Sequence, residues 1–281
     1  MSTLASIFVA VPDDRPMDPL IRALFAQSVK GIEILISAPV DRDDAGRIAA
    51  VVGHRIPVKN LTLPAFPAGK ALNAAARAAE GHYFVTLSSQ AQIPDNSWLF
   101  RLLDPFLDPR IAAVSGADLD VERLRLQDPS YLLNLADFLC APEFGASLQN
   151  TAFLRKLLLA HPFDEDLLAC FDKEWTYRIL KEGYLLTMSY DVRVELPVPV
   201  DAEAALRNYW RDRQAIASFL GPDDRARILW RWAWRRKDPG GLLKALKLSR
   251  RLRRQRYADL TLPEALEIRR RFEAKRELAK P

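Results

Sequence analysis

The first 115 residues alternate short β-branched apolar runs with segments of helical spacing, and this rhythm restricts the fold more than any other feature of the chain. Ile7 to Val11 is an apolar run stopped by Pro12. Met17 to Gln27 has helical spacing, and Ile32 to Ile36 is a second strand-like run closed by Ser37-Ala38-Pro39. Asp41 to Val52 again reads as helix, Ile56 to Leu63 as extended chain, and Gly69 to Glu80 as an Ala-rich helix ended by Gly81. Tyr83 to Leu87 is a third buried strand, Trp98 to Phe106 a helix and Ala112 to Ala117 another strand. Strands separated by helices of this length form crossover units, so the expected class is α/β with an open, mixed but mostly parallel sheet and flanking helices. Such a sheet binds ligands at the carboxyl ends of its strands. That directs attention to Pro12 to Pro16, Ser37 to Asp41 and Ser88 to Pro94.

Farther along, Leu119 to Leu139 reads as an insertion, and a helix is expected from Thr151. A loop from His161 to Phe171, a helix from Lys173 to Lys181 and extended segments at Leu185 to Met188 and Val192 to Leu196 follow. From Asp201 the pattern is helical and basic. The division expected is a body over 1–200, made of a 1–117 half and a 118–200 half, with a helical extension over 201–281.

A composition with 49% apolar and 27% charged residues and only 11 Gly excludes disordered and fibrous classes. Cys140 and Cys170 are too few for a disulfide framework and read as buried free thiols of a reducing compartment. The opening MSTLASIFVAVP lacks a basic n-region and reads as a strand, and no apolar run reaches the length of about 18 that spans a bilayer. A cytoplasmic location is the expectation.

Several segments together resemble the family-2 glycosyltransferases, rhamnosyltransferase-like members above all, which have the GT-A fold. They are Pro12-Asp13-Asp14-Arg15-Pro16 after the first strand, Gly69-Lys70-Ala71-Leu72-Asn73 before the third, and Pro94-Asp95-Asn96-Ser97-Trp98-Leu99. Asn150-Thr151-Ala152-Phe153, Pro162-Phe163-Asp164-Glu165 and Asp172-Lys173-Glu174-Trp175-Thr176-Tyr177-Arg178 continue the likeness over residues 5 to 200. The resemblance implies a nucleotide-sugar half followed by an acceptor half. It implies Asp172 as the general base of an inverting transfer; Pro12, Asp13, Asp14, Lys70, Asn73, Ser89, Gln90 and Gln92 at the donor; and Asp118, Trp175 and Arg178 at the acceptor.

The chain departs from the family where a divalent metal is usually held. The D-x-D position reads Leu87-Ser88-Ser89-Gln90-Ala91-Gln92, without a carboxylate, and no His stands near Val194-Glu195-Leu196. No metal ligand is assigned; Mg²⁺ or Mn²⁺ would have to bind without the usual carboxylates. His54, His82 and His161 have no metal-ligand spacing and read as surface or structural. Plain structural readings stand beside the functional ones. Asp172 is also placed to cap a helix, Asp13 and Asp14 to form a solvated turn, Trp175 to be core and Arg178 to be salt-bridged. A non-catalytic relative, or different chemistry on the same fold, is the alternative to transfer.

Charge is distributed unevenly. Residues 201–281 hold 22 Lys+Arg against 11 Asp+Glu, net +11, which leaves the first 200 residues at net −6. Trp210, Trp230, Trp232 and Trp234 are interleaved with arginines, and Leu242 to Arg256 mixes leucines with seven basic residues. That pattern suits the inner face of an anionic membrane and a lipid-linked acceptor. A solvated helical appendage is the plain reading. Nucleic acid is not an expected partner, since no binding motif accompanies the charge.

Overall fold

The computed structural model describes residues 3–11, 17–37, 56–63, 68–118, 130–142, 145–196 and 202–258. They divide into two compact units, one of Met1–Asn134 with Glu143–Pro197, the other of Leu135–Pro142 with Val198–Pro281.

The first unit is built on an eight-stranded sheet in the order β3-β2-β1-β4-β7-β5-β8-β6. Its strands are β1 (Ala5–Ala10), β2 (Ile32–Ser37), β3 (Val58–Asn60), β4 (Tyr83–Ser88), β5 (Ile111–Asp118), β6 (Ser130–Leu133), β7 (Asn150–Leu154) and β8 (Leu185–Val194). β1 lies between β2 and β4, parallel to both, and β8 is parallel to β5. β7 runs antiparallel between β4 and β5, and β6 antiparallel to β8, so the sheet is mixed. Ala5 to Val9 and Ile32 to Ile36 are buried without alternation, as strands covered on both faces must be.

The covering helices are α1 (Asp18–Phe25), α2 (Ala68–Ala78), α3 (Trp98–Leu103), α5 (Arg155–Ala160) and α6 (Phe171–Lys181); α4 (Leu135–Cys140) belongs to the second unit. α1 starts with Pro19 in its first turn and buries Leu20, Ile21 and Leu24. Gln27, 1% exposed, then ties it to α3: its Nε2 donates to Asp95 O (2.9 Å) and its Oε1 accepts from Leu99 N (3.0 Å). That bond supplies one of the helix-start N–H groups for which Ser97 offers no side-chain cap. α3 ends sooner than the sequence pattern indicates: Pro105 converts the segment from Asp104 to Leu107 into a 3₁₀ turn.

Two segments differ from expectation. The helix anticipated from Thr151 begins only at Arg155; Asn150–Leu154 is a strand instead, because β4 and β5 offer it hydrogen-bonding partners on both sides. The extended pieces at Leu185 to Met188 and Val192 to Leu196 are one strand with an irregular register opposite β5. Of the Leu119 to Leu139 insertion, Ser130–Leu133 is sheet. The helix anticipated over Asp41 to Val52 lies outside the described residues. Cys140 and Cys170 are free thiols, and both are partly exposed instead of buried.

The second unit combines α4 with α7 (Ala202–Phe219), α8 (Pro222–Arg235) and α9 (Pro239–Ala258). Arg225 Nε and Nη2 donate to the carbonyls of Leu139 (2.8 Å) and Cys140 (2.9 Å), and Lys244 Nζ lies 2.6 Å from Asp137 Oδ1. α8 and α9 approach closely at Gly241, where an added Cβ would come within 2.8 Å of Ala233 Cβ.

Candidate active site

The carboxyl ends of β1, β2, β4, β5 and β8 share one edge of the sheet, and the antiparallel β7 starts there. A crevice along such an edge is where open α/β sheets take ligands.

At the centre of this edge β4 runs into a turn. Ala91 N donates to Ser88 O (3.1 Å) and Gln90 N to Ser88 Oγ (3.3 Å). The turn is anchored at both ends: Ser88 N donates to Gln149 O (3.0 Å), and Gln92 and Glu195 exchange both backbone bonds at 2.9 Å. Ser88, Ser89 and Gln90 are half-buried and Gln92 is exposed. Directly paired residues of an antiparallel bridge project to the same side, so the exposed Glu195 carboxylate stands beside Gln92. Glu195 is the acidic residue nearest in register to a turn that has none of its own, and no local signal announces it, since the pairing joins residues more than a hundred positions apart.

The segment 145–149 connects this turn to the start of α6. Ser147 N reaches Ser115 Oγ and Thr151 Oγ1, both at 3.3 Å, and these buried hydroxyls are 2.8 Å apart. Ala146 N donates to Thr176 Oγ1 (3.1 Å), while Lys173 Nζ donates to Ala146 O (2.5 Å) and Gly145 O (3.2 Å). Asp172 therefore sits on a helix turn held to the same loop whose other end grips β4. Its side chain is 15% exposed; Oδ1 accepts from Lys173 N at 3.0 Å and Oδ2 lies 3.4 Å from Lys173 Nζ. The helix cap is Cys170, not Asp172, which occupies the first turn. Cys170 adopts a left-handed backbone, φ 57°, at the entry to α6. A non-glycine residue there stores about 1 kcal/mol or more of strain, a cost typical of places where geometry is imposed by surroundings.

Three of the residues expected at the ligand hold the loop over residues 161–165. Asn73 is 2% exposed; its Nδ2 donates to Phe163 O (2.9 Å) and Glu165 Oε1 (3.0 Å), and its Oδ1 accepts from Phe163 N (2.9 Å). Trp175 is fully buried, packs edge-on against Phe153 at 5.1 Å between ring centroids, and donates to His161 O at 2.7 Å. Arg178 pairs with Glu174 (2.7 Å) and donates to Pro162 O (2.6 Å). Asn73, the Trp175 indole N–H and the Nε and Nη2 of Arg178 are thus engaged with the protein itself. Lys70 is exposed, and Ser89, Gln90 and Gln92 follow the end of β4. Pro12, Asp13 and Asp14 lie outside the described residues, and of Asp118 only the backbone, paired with Val194, is described.

No group of three or more His, Cys, Asp or Glu residues able to hold a metal occurs among the described residues. At this turn the described side chains offer hydroxyl and amide oxygens, and the exposed Glu195 stands opposite Gln92. His82 is exposed with its ring edge-on to Tyr83, and His161 Nε2 lies 3.3 Å from Glu182; His54 is outside the described residues.

No protein-family model matches the sequence, and no curated protein matches it. Among solved structures, a mannosyltransferase from Pyrobaculum calidifontis in complex with GDP-Man and Mn²⁺ superposes with TM-score 0.58 at 18% identity, over 100% of this chain and 82% of that one. The fold is that of the GT-A glycosyltransferases. TarS of S. aureus with UDP-GlcNAc has the same GT-A arrangement, with TM-score 0.55 and 14% identity over 82% and 73% of the two chains. Glucosyl-3-phosphoglycerate synthase from Mycobacterium tuberculosis, with Mn²⁺, UDP-glucose and phosphoglyceric acid, gives 0.52 and 18% over 78% and 79%. These GT-A neighbours are nucleotide-sugar glycosyltransferases, and those with a metal bind Mn²⁺ or Mg²⁺.

Proposed function

We propose that the protein is an inverting glycosyltransferase that moves a sugar from a nucleoside diphosphate donor to a glycan or lipid-linked acceptor at the cytoplasmic face of a membrane. The observation that carries the reading is Asp172, a carboxylate on a rigidly held helix turn, tied through residues 145–149 to the carboxyl end of β4 in a GT-A fold.

In this reading the acceptor hydroxyl oxygen attacks the anomeric carbon while its proton passes to a carboxylate oxygen of Asp172. The bond from the anomeric carbon to the diphosphate oxygen breaks, and its electron pair leaves with the nucleoside diphosphate. Lys173 fixes the carboxylate: its ammonium is held by two carbonyls and keeps Oδ2 at 3.4 Å. Ser89, Gln90 and Gln92 offer hydrogen bonds to the donor in place of a carboxylate-held metal.

Replacing Asp172 with Asn keeps the shape and removes the base. Transfer should fall by about 10²-fold or more, with nucleotide binding and the unfolding midpoint retained. Unchanged turnover in D172N would remove Asp172 from the mechanism. Calorimetry with GDP, UDP and their sugars, with and without Mn²⁺, tests the donor side: binding without metal is expected, and absence of binding by all of them overturns the donor site.

The carboxylate-free turn at Ser88 to Gln92 favours a second reading, a GT-A module that binds a sugar or nucleotide without turning it over. Donor binding with no transfer in the wild-type chain would select it.

A further inference from the structure

The second unit carries a surface that the transfer reading leaves unused. On α8, Arg227, Trp230, Arg231, Trp234 and Arg235 recur at spacings of three and four, which places them on one helix face, and all are exposed. Trp230 and Trp234 are 41% and 67% exposed, an uncommon state for the largest apolar side chains. The opposite face carries the packing, with Leu229 and Ala233 fully buried. Trp230, Arg231, Trp234 and Arg235 line an open depression of about 490 Å³. Among the described residues Arg231 and Arg235 form no ion pair, whereas Arg227 is paired with Asp224.

α9 has a stripe of the same kind. Leu243 and Leu246 are 53% and 46% exposed and stand with the exposed Lys247 and Arg250, while Ala245 and Leu248 are buried. Residues 222–258 hold 13 Lys+Arg against 3 Asp+Glu, net +10.

We infer that the exposed face of α8 is a docking surface for an anionic lipid bilayer. Indole rings partition to the headgroup level, where an apolar ring and a polar N–H are both accommodated. The flanking guanidiniums meet lipid phosphates, and the net +10 complements an anionic leaflet. Exposed leucines on the adjoining helix separate this occupant from a nucleic acid, whose phosphates and bases have no use for isolated aliphatic side chains, and bilayer binding fits the chemistry of both stripes. No described helix is long and apolar enough to cross the membrane, so the attachment is peripheral. The inference does not rest on the transfer reading.

Flotation of the full chain with vesicles of phosphatidylcholine alone, and of phosphatidylcholine mixed with phosphatidylglycerol, tests it. Binding to the mixed vesicles only, weakening with salt and accompanied by a blue shift of Trp emission, is expected. Arg231→Gln with Arg235→Gln should weaken that binding about thirtyfold, from roughly 1 kcal/mol per basic residue near the surface. Trp230→Ser with Trp234→Ser should abolish the blue shift and release the chain at moderate salt. Far-UV circular dichroism verifies that both double variants remain folded. Failure of the folded wild-type chain to bind the mixed vesicles, or equal binding by both double variants, overturns the inference. So does substitution-sensitive binding to a single-stranded oligonucleotide without vesicle binding, and so does a dimer that the Trp substitutions dissociate in a chain that ignores vesicles.

Discussion

Asn73 engages its whole carboxamide with Phe163 and Glu165, and one turn earlier on the same helix Gly69 leaves no room for a side chain, since an added Cβ would lie 2.8 Å from Asp164 O. The two residues together seat the loop against which Phe171 packs, with the Phe163 and Phe171 rings 5.5 Å apart. Asn73→Ala would leave the buried Phe163 N–H without its partner and should destabilise the chain by about 2 kcal/mol, read as a lower urea midpoint. Cys170 is a second residue whose backbone decides more than its side chain. Cys170→Gly should be neutral or stabilising by up to about 1 kcal/mol, while Cys170→Val should cost about 2 kcal/mol, because only glycine enters the left-handed region freely. Equal stability of the two variants would contradict the strain at the entry to α6. Asn73, Trp175 and Arg178 stand out in the sequence as placed residues, but their partners do not. Helical spacing gives the face each occupies, whereas which loop meets that face depends on strands paired far along the chain.

The element that organises the site is β7. Its Asn150 crosses over Gly116 of β5: Nδ2 donates to Val192 O of β8 (3.0 Å), and Oδ1 accepts from Trp98 Nε1 of α3 (3.2 Å). A Cβ on Gly116 would collide with the Asn150 amide and the Val192 carbonyl. Gly116→Ala should therefore cost about 2 kcal/mol or more and loosen the edge that carries Glu195; a thermal midpoint equal to wild type would show that the strands simply shift. In the sequence a helix is expected from Thr151, because Leu154, Leu157 and Leu158 keep helical spacing and Thr151-Ala152-Phe153 contains no breaker. Local propensity is equal to either outcome there. The open hydrogen-bonding sides of β4 and β5 decide it, and they are not local information.

Across the molecule, acid should loosen the fold through a few held carboxylates. Burial pushes the Glu33 carboxyl up, but Lys59 at 2.8 Å, Ser6 Oγ at 2.5 Å and Glu80 N at 2.7 Å outweigh it and hold it below the ordinary range. The Arg101 guanidinium foremost, against some desolvation and with help from Ser97, holds Asp95 down at about 2, and Arg110 does the same for Asp108. A depressed carboxyl stabilises the fold above its unfolded value and loses that stabilisation as pH falls through its folded value. Unfolding free energy should therefore drop as pH passes below about 4 and go on dropping toward about 2. Glu33→Gln should flatten the upper part of that fall. An identical pH profile in E33Q would remove Glu33 from the account.

The α/β class and the mostly parallel sheet follow from the sequence alone, because hydrophobic periodicity is local and the crossover rules leave few topologies. The turn without carboxylates at Ser88 to Gln92 and the cationic, Trp-bearing end of the chain are equally plain in it. Tertiary structure decided what no local pattern encodes. It inserted β7 as a strand, set Glu195 opposite Gln92, tied Asn73, Trp175 and Arg178 to residues 161–165 and bound Asp172 through residues 145–149 to the end of β4. Each of these depends on the register between strands distant in sequence, and register is settled by which buried groups find partners when the whole sheet assembles.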